Sequence, residues 1–366
     1  MERVSQLQLV LLLILVLYGA PTGFFISGIS ALSGYSGWFS LILGCAGGLG
    51  IAYIAVKLGE RNADRFITQF GGNVVGRWLN LLFIFIMMFS VLLEAATSLR
   101  ELRDFLIQTY LPTTPEWAIT ALFGLCVILA VRSGIEAIFR CASGFFFIVC
   151  IVVVLTPIFV SKELTWPMIS AFVRHWDARM IWQGTFHSIS RFGLMAFILF
   201  IYPNLQKKEQ TFRSLVIAAL VALAMIELNY FLCVMLFGPY LTGSMPYPVL
   251  EMVRYIRIGD FLENLDPVLV AVWLTTLFLK VSLFLYFVVS GTGQLVGLKR
   301  STPLSFSIGA ILIGFSIHYA QNATEMDYFQ FHASPTFSIM AQLIPLLYLA
   351  VYRIRKIGSP KAAKVE

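Results

Sequence analysis

Ten apolar stretches, separated by short polar segments, account for most of this chain. They run over about residues 7–30, 37–57, 78–99, 116–132, 141–160, 182–203, 213–237, 267–291, 303–320 and 335–352. Most approach the roughly 20 residues that a helix needs to cross a bilayer core, so each is predicted to be a spanning helix. The first is interrupted in its middle. Leu7 to Tyr18 is almost wholly apolar and the pattern resumes at Phe24, but Gly19, Ala20, Pro21, Thr22 and Gly23 lie between. The glycines weaken a helix and Pro21 has no N–H to donate. Irregular backbone at membrane depth is tolerated only where it is packed in protein or lines a cavity. The break therefore marks either a binding site of the transporter type or a kinked packing helix.

The sixth stretch is interrupted as well: Gly184, His187, Ser188, Ser190, Arg191 and Gly193 crowd its first half. Breaks in helices one and six of ten suggest two five-helix halves, about 1–160 and 180–352. Five is odd, so the second half runs inverted relative to the first. The expected fold is an all-α integral membrane bundle of about ten transmembrane helices with a 5+5 inverted repeat, in one transporter-like domain. Thr114, Pro115 and Glu116 read as a helix start, and Asp266 with Pro267 repeats the device. Two connecting segments are amphipathic. Residues 165–181 read as a helix in the headgroup layer, and 246–266 as such a helix or as a lid, with Asp260 and Glu263 as a capping pair.

Composition supports the membrane reading. Of 366 residues, 59% are hydrophobic and only 12% charged, against about 25% charged in soluble domains. The net charge of +7 does not imply nucleic acid, because the basic residues lie between apolar runs rather than in one patch. Seventeen of the 26 Lys and Arg fall at the termini and in the even-numbered connections, seven on the opposite side, and Arg191 and Lys280 within spans. The positive-inside rule then places both termini in the cytoplasm. The first apolar run is longer than a usual signal-peptide core, so it is read as a span. Five cysteines without C-x-x-C spacing and four scattered histidines indicate neither a disulfide framework nor a metal site. No cofactor motif occurs.

Ionisable groups inside spans are costly and mark cavities or partners. Four stand out: Glu94, Arg191, Glu227 and Lys280. Glu94 shares a helix face with Ser90, Thr97 and Ser98, and Lys280 lies one turn after Thr276. Two acids and two bases balance within the bundle, either as structural ion pairs or as a site, and Lys280 either neutralises Glu94 or Glu227 or stands in for a coupling cation. Gly19 and Gly23 leave backbone N–H groups for a ligand carboxylate, aided by the half-helix dipole. The candidate ligand-binding residues are Gly19, Pro21, Thr22, Gly23, Glu94, Ser190, Arg191, Thr276 and Lys280. Nucleotide and metalloprotease motifs are lacking. A membrane acyltransferase using His318 or His332 with Asn322 is the enzyme-class rival, and a non-enzyme is preferred.

One segment carries a resemblance. Pro248, Arg254, the run Ile258, Gly259, Asp260 and Phe261, the acids Glu263 and Asp266, then Trp273 and Lys280 resemble the loop and following span of the spore-germination permease family, the B subunits of nutrient germinant receptors. Residues 134–140 between spans four and five, and Ser5 with Gln8 before the broken helix, match the same pattern. The family is similar to amino acid–polyamine–organocation transporters. The resemblance implies a ten-helix inverted-repeat bundle with ligand between spans one, three, six and eight. It also implies a small nutrient ligand such as an amino acid, the spore inner membrane, and receptor A and C subunits as partners. Members often carry an acid along the sixth span, where this chain has Arg191. The alternative is a stand-alone amino-acid or cation-coupled transporter, which needs the same cavity.

Overall fold

The computed structural model describes residues 3–20, 24–255, 266–298, 300–320 and 322–354. Each of the ten apolar stretches falls on a helix or a broken pair of helices. Helix α1 (Gln6–Ala20) and α2 (Ile26–Ser33) form the first, with a π-type turn at Phe24 and Phe25. Pro21, Thr22 and Gly23 lie outside the described residues. The start of α1 is a reciprocal capping box: Gln8 N–H donates to Ser5 Oγ at 3.2 Å and Ser5 N–H to Gln8 Oε1 at 3.0 Å. Ahead of it, Val4 pairs in parallel with Leu205 through Val4 N to Asn204 O at 3.0 Å and Gln206 N to Val4 O at 2.9 Å. Gln6 Nε2 adds a bond to the Gln206 carbonyl at 2.5 Å.

Helix α3 (Gly37–Arg61), the short α4 (Ile67–Val75), the long α5 (Arg77–Thr109), α6 (Glu116–Arg132) and α7 (Ile135–Val160) complete the first half. Helix α5 extends ten residues past the predicted end at 99, and α7 starts six residues before 141. The predicted Thr114 cap is not formed. Pro115 holds the cap position of α6 without a side-chain bond, and Glu116 instead reaches Arg103 Nη1 at 3.1 Å.

The amphipathic segment 165–181 contains a 3-10 turn, the short α8 (Ile169–Arg174) and the first residues of the next helix. It is docked as well as amphipathic: Phe172 is buried, Trp38 Nε1 donates to Phe172 O at 3.3 Å, and Ser36 Oγ to His175 O at 2.7 Å. Asp177 then caps α9 (Ala178–Phe192) by accepting from Arg179 N and Met180 N. The sixth stretch changes character at Gly193, where α9 gives way to a 3-10 helix over Gly193–Phe200. Gln342 Nε2 donates to Ser190 O at 2.7 Å beside that transition, supplying a partner where the helical bonding changes.

Helix α10 (Thr211–Ser244) kinks at Gly238, whose φ of +77° is left-handed, just before Pro239. It is followed by α11 (Pro248–Tyr255), α12 (Asp266–Val296), α13 (Leu304–His318), α14 (Ala323–Tyr328), a π-helical turn over Phe329–Ala333, α15 (Ser334–Gln342) and α16 (Ile344–Ile354). The predicted capping pair Asp260 and Glu263 lies outside the described residues. Asp266 accepts from the Tyr110 hydroxyl at 2.9 Å. Among the described residues, six helical stretches are long and apolar enough to cross a membrane, with Gln6–Gly19 and Leu304–His318 as shorter apolar helices. The molecule is an all-α multi-pass membrane protein.

Packing follows the small residues. Helix α3 makes its most extensive contacts with α9; a Cβ on Gly44 would stand 2.1 Å from Ser188 Cβ, and one on Gly48 2.4 Å from Phe192 Cβ. Without a hydrophobic drive between helices in lipid, such backbone approach supplies the dispersion contact that holds them. Helix α1 runs through the middle, packed on α10, α12 and α7, with Leu9, Leu12, Leu15 and Leu17 buried.

Candidate functional site

Three intramembrane charges meet at one oxygen. Glu94 on α5 accepts through Oε1 from Lys280 Nζ of α12 at 2.7 Å and from Arg191 Nη1 of α9 at 2.7 Å. Lys280 is 1% exposed, and its stem passes Phe284, whose ring centroid is 5.8 Å from Nζ. Arg191 lies over the Phe25 ring at 5.4 Å, so the guanidinium touches the residues just after the break in helix one. The three charges therefore join helices that are 97 and 186 residues apart in sequence. In a low-dielectric interior such a cluster is strong only when every member has its partners.

A small polar cavity of about 20 Å³ adjoins the cluster, walled by Glu94, Thr97, Glu101, Ser190 and Arg191 on one side and Gln330, Ser334 and Ser338 on the other. That is room for about one water. Gln330 Nε2 donates to Glu101 Oε1 at 2.8 Å and Tyr319 Oη to Thr97 Oγ1 at 3.2 Å. Arg100 donates to the carbonyl of Ala320. These bonds hold the segment before α15 down on α5 as a cover.

His187 forms the remaining wall. Its ring is stacked between Phe25 at 5.4 Å and Phe331 at 5.7 Å, and its Nδ1 is buried without a hydrogen-bond partner among the described residues. On the other face of His187 lies an open recess of about 580 Å³, lined by Leu32, Gln183, Phe186, Tyr328, Phe331 and His332. His187 lines both the open recess and the small polar cavity, so its imidazole stands between them. A second aromatic group flanks the break: Phe24 packs edge-on to Tyr247 at 5.3 Å, and Phe105 to Trp273 at 4.9 Å.

The candidate residues divide accordingly. Glu94, Arg191 and Lys280 come together, and Ser190 lines the cavity while donating its hydroxyl to His187 O at 2.7 Å. Gly19 and Thr276 meet each other rather than the cavity: a Cβ on Gly19 would stand 2.2 Å from Thr276 Cβ and Oγ1, and Thr276 Oγ1 donates to Val272 O at 2.9 Å. Pro21, Thr22 and Gly23 lie outside the described residues. Glu227 does not join the cluster; both its carboxyl oxygens are buried without a hydrogen-bond partner among the described residues. The second acid beside the bases is Glu101, seven residues after Glu94 on the same helix face. It was hidden by ending the third span at 99. Gln330 and Ser334 come from a segment whose sequence reads as an external loop and carries no signal of folding back, and Ser338 lies near the start of the tenth apolar stretch.

Asn322 caps α14 by accepting from Glu325 N at 2.8 Å, and His332 Nδ1 lies 3.0 Å from Tyr328 O, so these polar groups have structural roles. No group of three or more His, Cys, Asp or Glu able to hold a metal occurs among the described residues.

The fold has solved counterparts. MhsT in complex with L-phenylalanine superposes with a TM-score of 0.74 at 13% identity, covering 95% of this chain and 89% of that one. A Na+-coupled sialic acid symporter in a substrate-bound outward-open state gives 0.68 at 11% identity, over 96% and 78%. At such identities the likeness concerns the fold alone, which is shared with a Na+-coupled symporter. In sequence, spore germination protein KB of Bacillus subtilis (strain 168) is 25% identical over 303 residues, 81% of this chain and 80% of the relative. Spore germination protein XB of Bacillus anthracis is 24% identical over 271 residues, 70% and 71% of the two chains. The family model described as spore germination protein matches residues 3–324, a span that takes in the broken helix, the Glu94 cluster and Lys280, and the chain belongs to that family.

Proposed function

We propose that this chain is the nutrient-sensing membrane subunit of a spore germinant receptor, and that its ligand is a small polar nutrient of the amino-acid class. The observation that carries this reading is the Glu94–Arg191–Lys280 cluster beside a polar cavity, one aromatic layer below an open recess. The ligand enters by the recess, displaces His187 and Phe331, and settles between α5, α9, the break between α1 and α2, and α15. Ser190 and Arg191 meet its polar groups, with the Arg191 guanidinium a donor to its carboxylate. Opening and refilling this cavity favours one arrangement of the cover over the other, which turns occupancy into a signal through differential affinity. On this reading the chain lies in the spore inner membrane with both termini cytoplasmic, and works with receptor A and C subunits.

The test is a cavity-filling variant that leaves the charges alone. Ser338→Phe should accumulate normally and abolish the germination response to the nutrient that triggers wild-type spores. A normal dose-response from Ser338→Phe at normal abundance would place the ligand elsewhere. Reconstituted vesicles separate the alternative. Saturable nutrient binding without accumulation supports a sensor, and concentrative uptake by the chain alone supports a stand-alone transporter.

A further inference from the structure

At the end of the bundle that carries the chain termini, α3 and α16 part to leave a groove of about 490 Å³. Its floor is apolar and open: Tyr53, Leu346 and Ile354 are all exposed, at positions where the bundle faces lipid rather than protein. Its rim is basic. Lys57, Arg61 and Arg353 converge there from the last turns of the two helices. Lys57 bonds Glu60 at 2.6 Å, which leaves two guanidinium groups without a carboxylate among the described residues. Both helices are pinned around the groove. Arg61 lies over the Tyr352 ring at 5.5 Å, and Asn62 Nδ2 donates to the Tyr352 hydroxyl at 2.8 Å.

We infer that this groove binds one anionic phospholipid, with an acyl chain along Tyr53, Leu346 and Leu349 and the headgroup phosphodiester on Arg61 and Arg353. The division of chemistry argues for it. An aqueous peptide or free phosphate has no use for an apolar floor at membrane depth, and a zwitterionic lipid gains little from two surplus cations. A guanidinium at the headgroup level attracts an anionic lipid directly, and planar donors suit phosphate oxygens. Orientation in the membrane requires only that basic residues lie on one side. It does not require that they converge on one groove between two spans.

The test is native mass spectrometry of the full chain released from nanodiscs of mixed phosphatidylglycerol and phosphatidylcholine. Wild type should retain phosphatidylglycerol over phosphatidylcholine by about thirtyfold, from two unpaired basic groups at the membrane surface. Arg61→Gln with Arg353→Gln should bring that ratio to the bulk composition. Because Arg61 also packs on Tyr352, a second variant, Leu349→Trp, keeps the charges and fills the floor; it should lose retention of both lipids. Equal retention of the two lipids by wild type overturns the inference, as does an unchanged ratio in the double variant. Retention of inorganic phosphate in place of lipid overturns it too.

Discussion

Glu94 receives two cations through one oxygen, and this makes its substitution unlike that of its partners. Lys280→Met leaves Glu94 paired with Arg191. Glu94→Gln leaves two buried cations facing each other. Breaking a buried pair costs about 3–5 kcal/mol because of the charge left behind. Glu94→Gln should therefore cost that much or more, Lys280→Met less than half of it, and the double variant should recover most of the loss. Membrane abundance and thermal melting in detergent check the order. If Lys280→Met proves the more damaging, Arg191 is not a sufficient partner. Gly19 makes a simpler case: Gly19→Ala puts a methyl where Thr276 stands, so abundance should fall and be partly restored by Thr276→Gly.

At the scale of elements, the cover formed by 319–320 and 322–333 depends on few bonds to α5, namely Gln330 to Glu101, Tyr319 to Thr97 and Arg100 to the Ala320 carbonyl. Gln330→Ala should raise amide hydrogen exchange over 322–333 several-fold while α5 stays protected, because local opening follows the number of contacts that oppose it. Unchanged exchange would mean that the aromatic stack on His187 carries the cover. The two broken helices were legible in sequence because glycine and proline act on the backbone of the residues that contain them. The bases and Glu94 were legible because a charge inside an apolar run needs a partner wherever it sits. Glu101, Gln330 and Ser338 were not, since their significance depends on where a helix ends and which face a loop folds over. Thr276 was assigned to the site from its spacing before Lys280; its hydroxyl donates within its own helix, and its Cβ and Oγ1 pack on Gly19. The capping role of Ser5 and Gln8 is visible in their spacing once the helix start is fixed.

For the whole molecule, the ties between distant segments fix which ends share a face. Lys208 Nζ bonds Asp64 at 2.9 Å and the carbonyl of Ala63 at 2.7 Å, and the N-terminal residues pair with 204–206. Tyr110 bonds Asp266 at the opposite end, near which Ser36 holds His175. Reporter tags at Asp64 and Gln206 should therefore report one side of the membrane, and tags at Ser170 and Tyr110 the other. With the excess of Lys and Arg at the first end, that side should be cytoplasmic. A tag at Gln206 on the same side as one at Ser170 would overturn the arrangement of the sixth span.

The pairing of Val4 with Leu205 also sets an order of manufacture. Gln6 finds its carbonyl partner 200 residues later in the chain, and α10 and α12, the helices that enclose α1, are later still. At about 5–20 residues per second, a ribosome needs about 10–40 s to reach Gln206 and about 15–60 s to complete α12. During that interval the interrupted helix must wait in the bilayer or at the insertion machinery with its mature neighbours still unmade. The span whose glycines and proline give it the weakest intrinsic helix is thus the one that waits longest for its partners. Slow translation before codon 206 should therefore lower yield more than the same delay placed after codon 296.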